Sequence, residues 1–167
     1  MAERQDGPPI CTIAGLVLFG HAPRRLLLQF GIRWMAFEGE DKGYQALDDR
    51  LIDGPLVALH ASASGGGYEI VGNGVIAGLV DAMQPFVSEE TVEVDASMRR
   101  EQRWLYPVAA LREAIVNALV RRDWTRYEEI KVVSYRDRLE VLSPGALQNS
   151  MTVAKMIAGR RSPRVII

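Results

Sequence analysis

The sequence is poor in metal-binding and redox side chains. One cysteine, Cys11, cannot close an internal disulfide, and with only His21 and His60 beside it no Cys/His zinc cage assembles. Lysine is scarce too, with 3 against 17 arginines. The longest apolar runs, around Ile13–Phe19 and Val75–Val80, fall well short of the roughly 20 residues that span a bilayer. Met1–Pro9 is polar and turn-rich, without the basic start and apolar centre of a secretory signal. These absences point to a reducing, cytoplasmic setting and to no membrane partner. Gly-x-Ser-x-Gly and the Gly-rich phosphate loop ending in Lys-Ser/Thr are also missing, which removes the strongest short signatures of hydrolases and P-loop enzymes.

What remains is an ordinary globular composition: 167 residues, 48% hydrophobic and 25% charged, with a net charge of −1. That length suits one domain or two small ones. The neutral total hides an asymmetry. Residues 1–98 hold 6 basic and 14 acidic side chains, whereas residues 99–167 hold 14 basic and 7 acidic ones. A cationic second half favours polyanionic partners such as DNA; neutralisation of one half by the other is the plainer account. The chain stops in the apolar run Val165-Ile166-Ile167, as a fragment of a longer protein would.

Local patterns predict the organisation. Thr12–Phe19 and Ile32–Phe37 resemble short strands, Gly39–Gly43 is an acidic loop, and Asp53-Gly54-Pro55 is a turn before Leu56–His60. Ala61–Gly67, with three consecutive glycines, reads as a connector. Tyr68–Val71 reads as a strand and Asn73–Val87 as a helix stopping near Pro85. Gly72, Gly74 and Gly78 loosely match a dinucleotide fingerprint, yet the third glycine comes one position late and no second βαβ unit follows, so they read as a glycine-rich helix start. Val108–Arg122, after Pro107, has the clearest helical spacing. Val108, Leu111, Ile115, Ala118 and Leu119 gather on one side, and Ala109, Val116 and Val120 widen the apolar arc to about half the circumference, which predicts a mostly buried helix. Ile130–Tyr135 and Leu139–Leu142 form a hairpin through Arg136-Asp137-Arg138, and Thr152 caps a last short helix ending near Gly159. This order implies an α+β fold, with a mixed or antiparallel sheet and helices on one face.

On the Val108–Arg122 helix, Glu113 and Asn117 are four residues apart and project together from an otherwise apolar surface. A carboxylate can orient a water for attack on a phosphoryl group, and an amide oxygen one turn further on can ligate Mg²⁺. A polar strip with Glu113 paired to Arg112 or Arg121 fits the same spacing.

The run Tyr106-Pro107-Val-Ala-Ala-Leu-Arg112-Glu113-Ala-Ile-Val-Asn117-Ala-Leu-Val-Arg121-Arg122-Asp123-Trp124, followed by Asp137-Arg138-Leu139-Glu140-Val-Leu-Ser143-Pro144-Gly145-Ala-Leu147, resembles the RecG-related, Schlafen/AlbA-associated transcriptional regulators of bacteria and archaea. Ala14–Pro23 and Asp53–Leu56 resemble the piece that those proteins place between an AlbA-type DNA-binding domain and the following one. The resemblance implies residues 1–60 as a strand-rich segment from the end of the AlbA-type domain, 61–67 as a connector, and 68–167 as an incomplete, degenerate GHKL-type ATPase domain in a two-layer sandwich. It further implies that Glu113 occupies the water-activating position and Asn117 the Mg²⁺ position, with Ser143 and Gly145 in the nucleotide loop. That loop lacks the adenine-reading aspartate of GHKL proteins; Ser143 offers a weaker, neutral hydrogen bond. ATP and Mg²⁺ are the implied ligands, with hydrolysis not expected from this chain alone. The rival is a nucleotide-free assembly or DNA-binding module, with phosphate contacts from Arg99, Arg100, Arg103, Arg121, Arg122, Arg160, Arg161 and Arg164. Association into a homo-oligomer is left open.

Overall fold

The computed structural model describes residues 10–62, 67–94 and 100–145, together with Ala154 and Ala158. The architecture is α+β. A four-stranded mixed sheet has the order β2-β1-β7-β8, with β1 at Ile32–Ala36, β2 at Asp48–Ile52, β7 at Ile130–Ser134 and β8 at Leu139–Leu142. β1 pairs antiparallel with β2 and parallel with β7, Ile32 opposite Ile130, and β7–β8 is the expected antiparallel hairpin. Two antiparallel ribbons stand apart: β3 (Leu59–Ser62) with β4 (Tyr68–Gly72), and β5 (Ser88–Val94) with β6 (Arg100–Trp104).

Alternation along the strands sorts the two sheet faces. Ile32, Trp34 and Ala36 join Ile130 and Val132 on one face, where they meet Leu79 and Met83 of α2 (Val75–Val87) and Leu111 and Ile115 of α3 (Val108–Arg121). The opposite face carries a small cluster of Met35, Phe37 and Val133. Helices and sheet thus enclose one main core, to which strands from both sides of the 61–67 connector contribute. The expected division at residue 60 does not separate two cores, because the parallel β1–β7 pairing ties residues 32–36 to 130–134.

Other expectations are corrected locally. Ile13–Phe19 is a helix, α1: the Thr12 side chain accepts from Gly15 N at 3.0 Å and caps its first turn, which outweighs the β-branched content of the run. α2 passes through Pro85 to Val87. The proline lies on the exposed side, Val87 is buried, and Ser88 Oγ donates to Gln84 O at 2.6 Å across the last turn. The glycine-rich stretch does lead into α2, and its close packing explains two of the glycines. A Cβ on Gly74 would sit 2.8–2.9 Å from the backbone of Val57 and Ala58, and one on Gly72 3.3 Å from Pro55. The short helix expected from Thr152 to Gly159 lies outside the described residues apart from Ala154 and Ala158. Among the described residues no helix is long and apolar enough to cross a membrane.

Candidate functional site

The rotation of α3 about its axis is set by its buried stripe. Leu111, Ile115, Ala118 and Leu119 lie against the sheet side, each under 10% exposed. Pro107, at the N-cap, gives its carbonyl to Ala110 N and Leu111 N and fixes where the helix starts. Glu113 and Asn117, about 200° around from Leu111 and Ile115, therefore face outward, and both are exposed. They stand one turn apart, a rise of about 6 Å. Glu113 forms no ion pair with Arg112 or Arg121 among the described residues. The helix is less buried than its composition suggests: Val116 is 42% and Val120 67% exposed, and Ala109 is exposed as well. The sheet covers one side of α3 and packs against only part of the apolar arc.

The Ser143-Pro144-Gly145 turn is clipped to the far end of the same helix. Ser143 Oγ donates to Ala118 O at 2.8 Å, and Asp123 N donates to Pro144 O at 2.8 Å. A Cβ on Gly145 would come within 3.3 Å of Arg121 O, so the close approach of two backbones explains this glycine. Ser143 and Gly145 also line a shallow cavity of about 250 Å³, together with Arg126, Glu128, Glu129 and Lys131. Its two cations and two anions offset each other, which gives no net field for a polyphosphate. Glu113 and Asn117 are not among its lining residues. The structure thus places Asn117 next to the Ala118 carbonyl that Ser143 engages, without gathering all four residues into that cavity.

The arginines part company. Arg103 and Arg121 are exposed. Arg100 lies in β6, and Arg99, Arg160, Arg161 and Arg164 lie outside the described residues. Arg122, expected as a phosphate contact, is only 4% exposed. Its Nη1 donates to Gln29 O at 2.9 Å and its Nη2 to Glu128 O at 2.6 Å, and its guanidinium lies 4.5 Å from the centroid of the Trp124 ring. Burial pushes its proton affinity below the usual arginine value. This side chain is structural. Gln29 returns the contact by donating Nε2 to Trp124 O at 2.8 Å. A signal for this lay in the sequence: Arg122 follows Leu119 by three and Ala118 by four, in phase with the buried stripe. Next to it, Asp123 accepts from the hydroxyl and amide of Thr125, which hold its carboxyl below the usual range.

Among the described residues no group of three or more His, Cys, Asp or Glu can hold a metal ion.

No family model and no curated protein matches the chain. It is similar to a solved structure, the DIP2311 protein from Corynebacterium diphtheriae, at 22% identity and a TM-score of 0.57, over 89% of this chain and 26% of that one. The likeness concerns the fold. This chain spans about a quarter of the length of that protein.

Proposed function

We infer that this chain is a regulatory fragment of a RecG-related, Schlafen/AlbA-associated transcriptional regulator, with a degenerate GHKL-type domain that holds Mg–ATP weakly and does not turn it over. The observation that carries this reading is the solvent-facing Glu113/Asn117 pair, one turn apart on a helix whose other side is buried. The side chains can meet a ligand from solvent without displacing a neighbour. Weakness follows from Ser143, whose neutral hydroxyl is engaged with Ala118 O where a carboxylate would read adenine. Titration with a fluorescent ATP analogue plus Mg²⁺, repeated on Asn117→Ala, tests this reading: saturable binding that the substitution abolishes is expected, and equal signals from both proteins remove the nucleotide site.

The second reading is a nucleotide-free assembly or DNA-binding module, favoured by the exposure of Arg103 and Arg121 in the cationic half. It requires a mobility shift on duplex DNA that weakens steeply with salt; an absent or salt-insensitive shift counts against it.

A further inference from the structure

The four-stranded sheet has two edges, β2 and β8. β2 carries Asp48-Asp49-Arg50, the kind of charged guard that natural sheets place on a free edge. β8 has neither lysine nor proline, and no bulge breaks its register against β7. Its backbone phase follows from the hairpin. Tyr135 N donates to Arg138 O at 2.8 Å, which makes these two a hydrogen-bonded pair. Bonded and unbonded pairs alternate along an antiparallel ladder, so Glu140 and Leu142 bond back to Val133 and Lys131, while Leu139 and Val141 turn their N–H and C=O groups away from β7. Ser134 obeys the same phase on the other side of β7, where its carbonyl accepts from Phe37 N at 2.9 Å. Among the described residues, Leu139 and Val141 have no backbone partner on that outer side. Extended backbone with free donors and acceptors is a template for another strand.

The side chains of β8 select which strand. Leu139 and Val141 pack against the main core, so Arg138 and Glu140 stand on the face away from the helices. Arg138 Nε donates to Glu140 Oε1 at 2.7 Å and its Nη1 to Asp137 and to Glu40 O, whereas Nη2 donates to no described group. A second β8, antiparallel across a two-fold axis, can meet the outward groups in three registers. Leu139 opposite Val141 sets Glu140 against Glu140 of the other copy, a destabilising like-charge pair. Val141 opposite Val141 runs the second strand into the Ser143-Pro144 turn, which is clipped to α3. Leu139 opposite Leu139 sets Arg138 against Glu140 on both sides of the axis, and the free Nη2 donors meet a carboxylate. We propose that β8 is a dimerisation edge, which pairs with a second copy of this chain in that charge-matched register and continues the sheet through both copies.

The test mixes two variants of the full chain, Arg138→Cys and Glu140→Cys, each with Cys11→Ser. In the proposed register these positions form an unbonded pair with α-carbons about 4.5 Å apart, within reach of a disulfide. One Arg138–Glu140 pair stays intact in each mixed dimer. Oxidation of the mixture should give cross-linked dimer at about five times the yield of either variant alone, or more. No excess in the mixture, or an equal cross-link from Glu140→Cys alone, overturns the proposal. Amide exchange of the unsubstituted chain keeps it testable if the variants misfold. The Leu139 N–H should exchange at least about fivefold more slowly at about 1 mM chain than at about 10 μM. Fast exchange at both concentrations means an open edge, and slow exchange at both means that another segment of the same chain fills it; either result overturns the proposal.

Discussion

Replacing Arg122 with alanine should destabilise the fold by about 3 kcal/mol. Two hydrogen bonds from a charged donor, to Gln29 O and Glu128 O, contribute about 1.5–3 kcal/mol each, and the stacking on Trp124 about 0.5–2 kcal/mol. Against this stands the desolvation of a guanidinium that is 4% exposed and whose Nε has no partner among the described residues, which offsets several kcal/mol. The truncation removes both sides of that balance but strands two carbonyl oxygens, at about 1–3 kcal/mol each. Loss of the arginine stem opens space beside Phe30 and Trp124, which stack at 6.3 Å. Urea unfolding followed by tryptophan fluorescence reads the effect: with a slope near 2 kcal/mol/M the midpoint should fall by about 1.5 M. Arg122→Lys keeps the charge and loses the planar fork, so it should recover less than half of the loss. A midpoint within about 0.3 M of the parent for Arg122→Ala, equivalent to about 0.6 kcal/mol, would refute the structural role and return this arginine to the pool of ligand contacts.

Gly74→Ala should cost about 2 kcal/mol, because the added carbon would lie 2.8–2.9 Å from the backbone of Val57 and Ala58, which cannot give way cheaply; the melting temperature should drop by about 5 °C. Ser143→Ala should cost about 1 kcal/mol through loss of the bond to Ala118 O, read as a smaller shift of the urea midpoint. Acid should destabilise the protein. Arg33 holds the Asp49 carboxyl, and Thr125 the Asp123 carboxyl, below the usual range. The unfolded chain therefore takes up these protons at higher pH than the folded one does, and the stability they contribute is present above about pH 4 and fades as the pH falls further. Urea midpoints between pH 5 and pH 3 should decline, less so in Asp49→Asn; a flat profile contradicts the assignment.

The elements with one dominant pattern were legible from residues alone. β1, β4, α2, α3 and the β7–β8 hairpin lie within a few residues of where periodicity puts them. β2 has no strand signature in the sequence, since Asp48-Asp49-Arg50 is charged throughout; in the fold Arg33 takes Asp49, and Asp48 takes both Arg50 and the indole N–H of the fully buried Trp34. Long-range partners that no local window contains make that strand. α1 resembles a strand in sequence because seven residues are too few for helical period to outweigh β-branching, and the Thr12 cap makes the segment helical. The parallel β1–β7 pairing joins residues about 100 apart in sequence, a link that composition near the glycine connector conceals. At the candidate site, the spacing of Glu113 and Asn117 puts them on one face of α3, but that face is exposed to solvent and lines neither the cavity at Ser143 nor the apolar groove between α1 and α3, whereas a nucleotide site on this helix calls for a phosphate-sized hollow. The burial of Arg122 was signalled by its phase and obscured by its charge.

The nucleotide assignment is tested most directly by amide and side-chain NMR of the ¹⁵N-labelled chain titrated with Mg–ATP. The account predicts saturable shifts centred on the Asn117 side-chain amide and the backbone of Glu113, Ser143 and Gly145, absent with ATP and chelator. Shifts confined to other parts of the chain, or none at millimolar Mg–ATP, would contradict it.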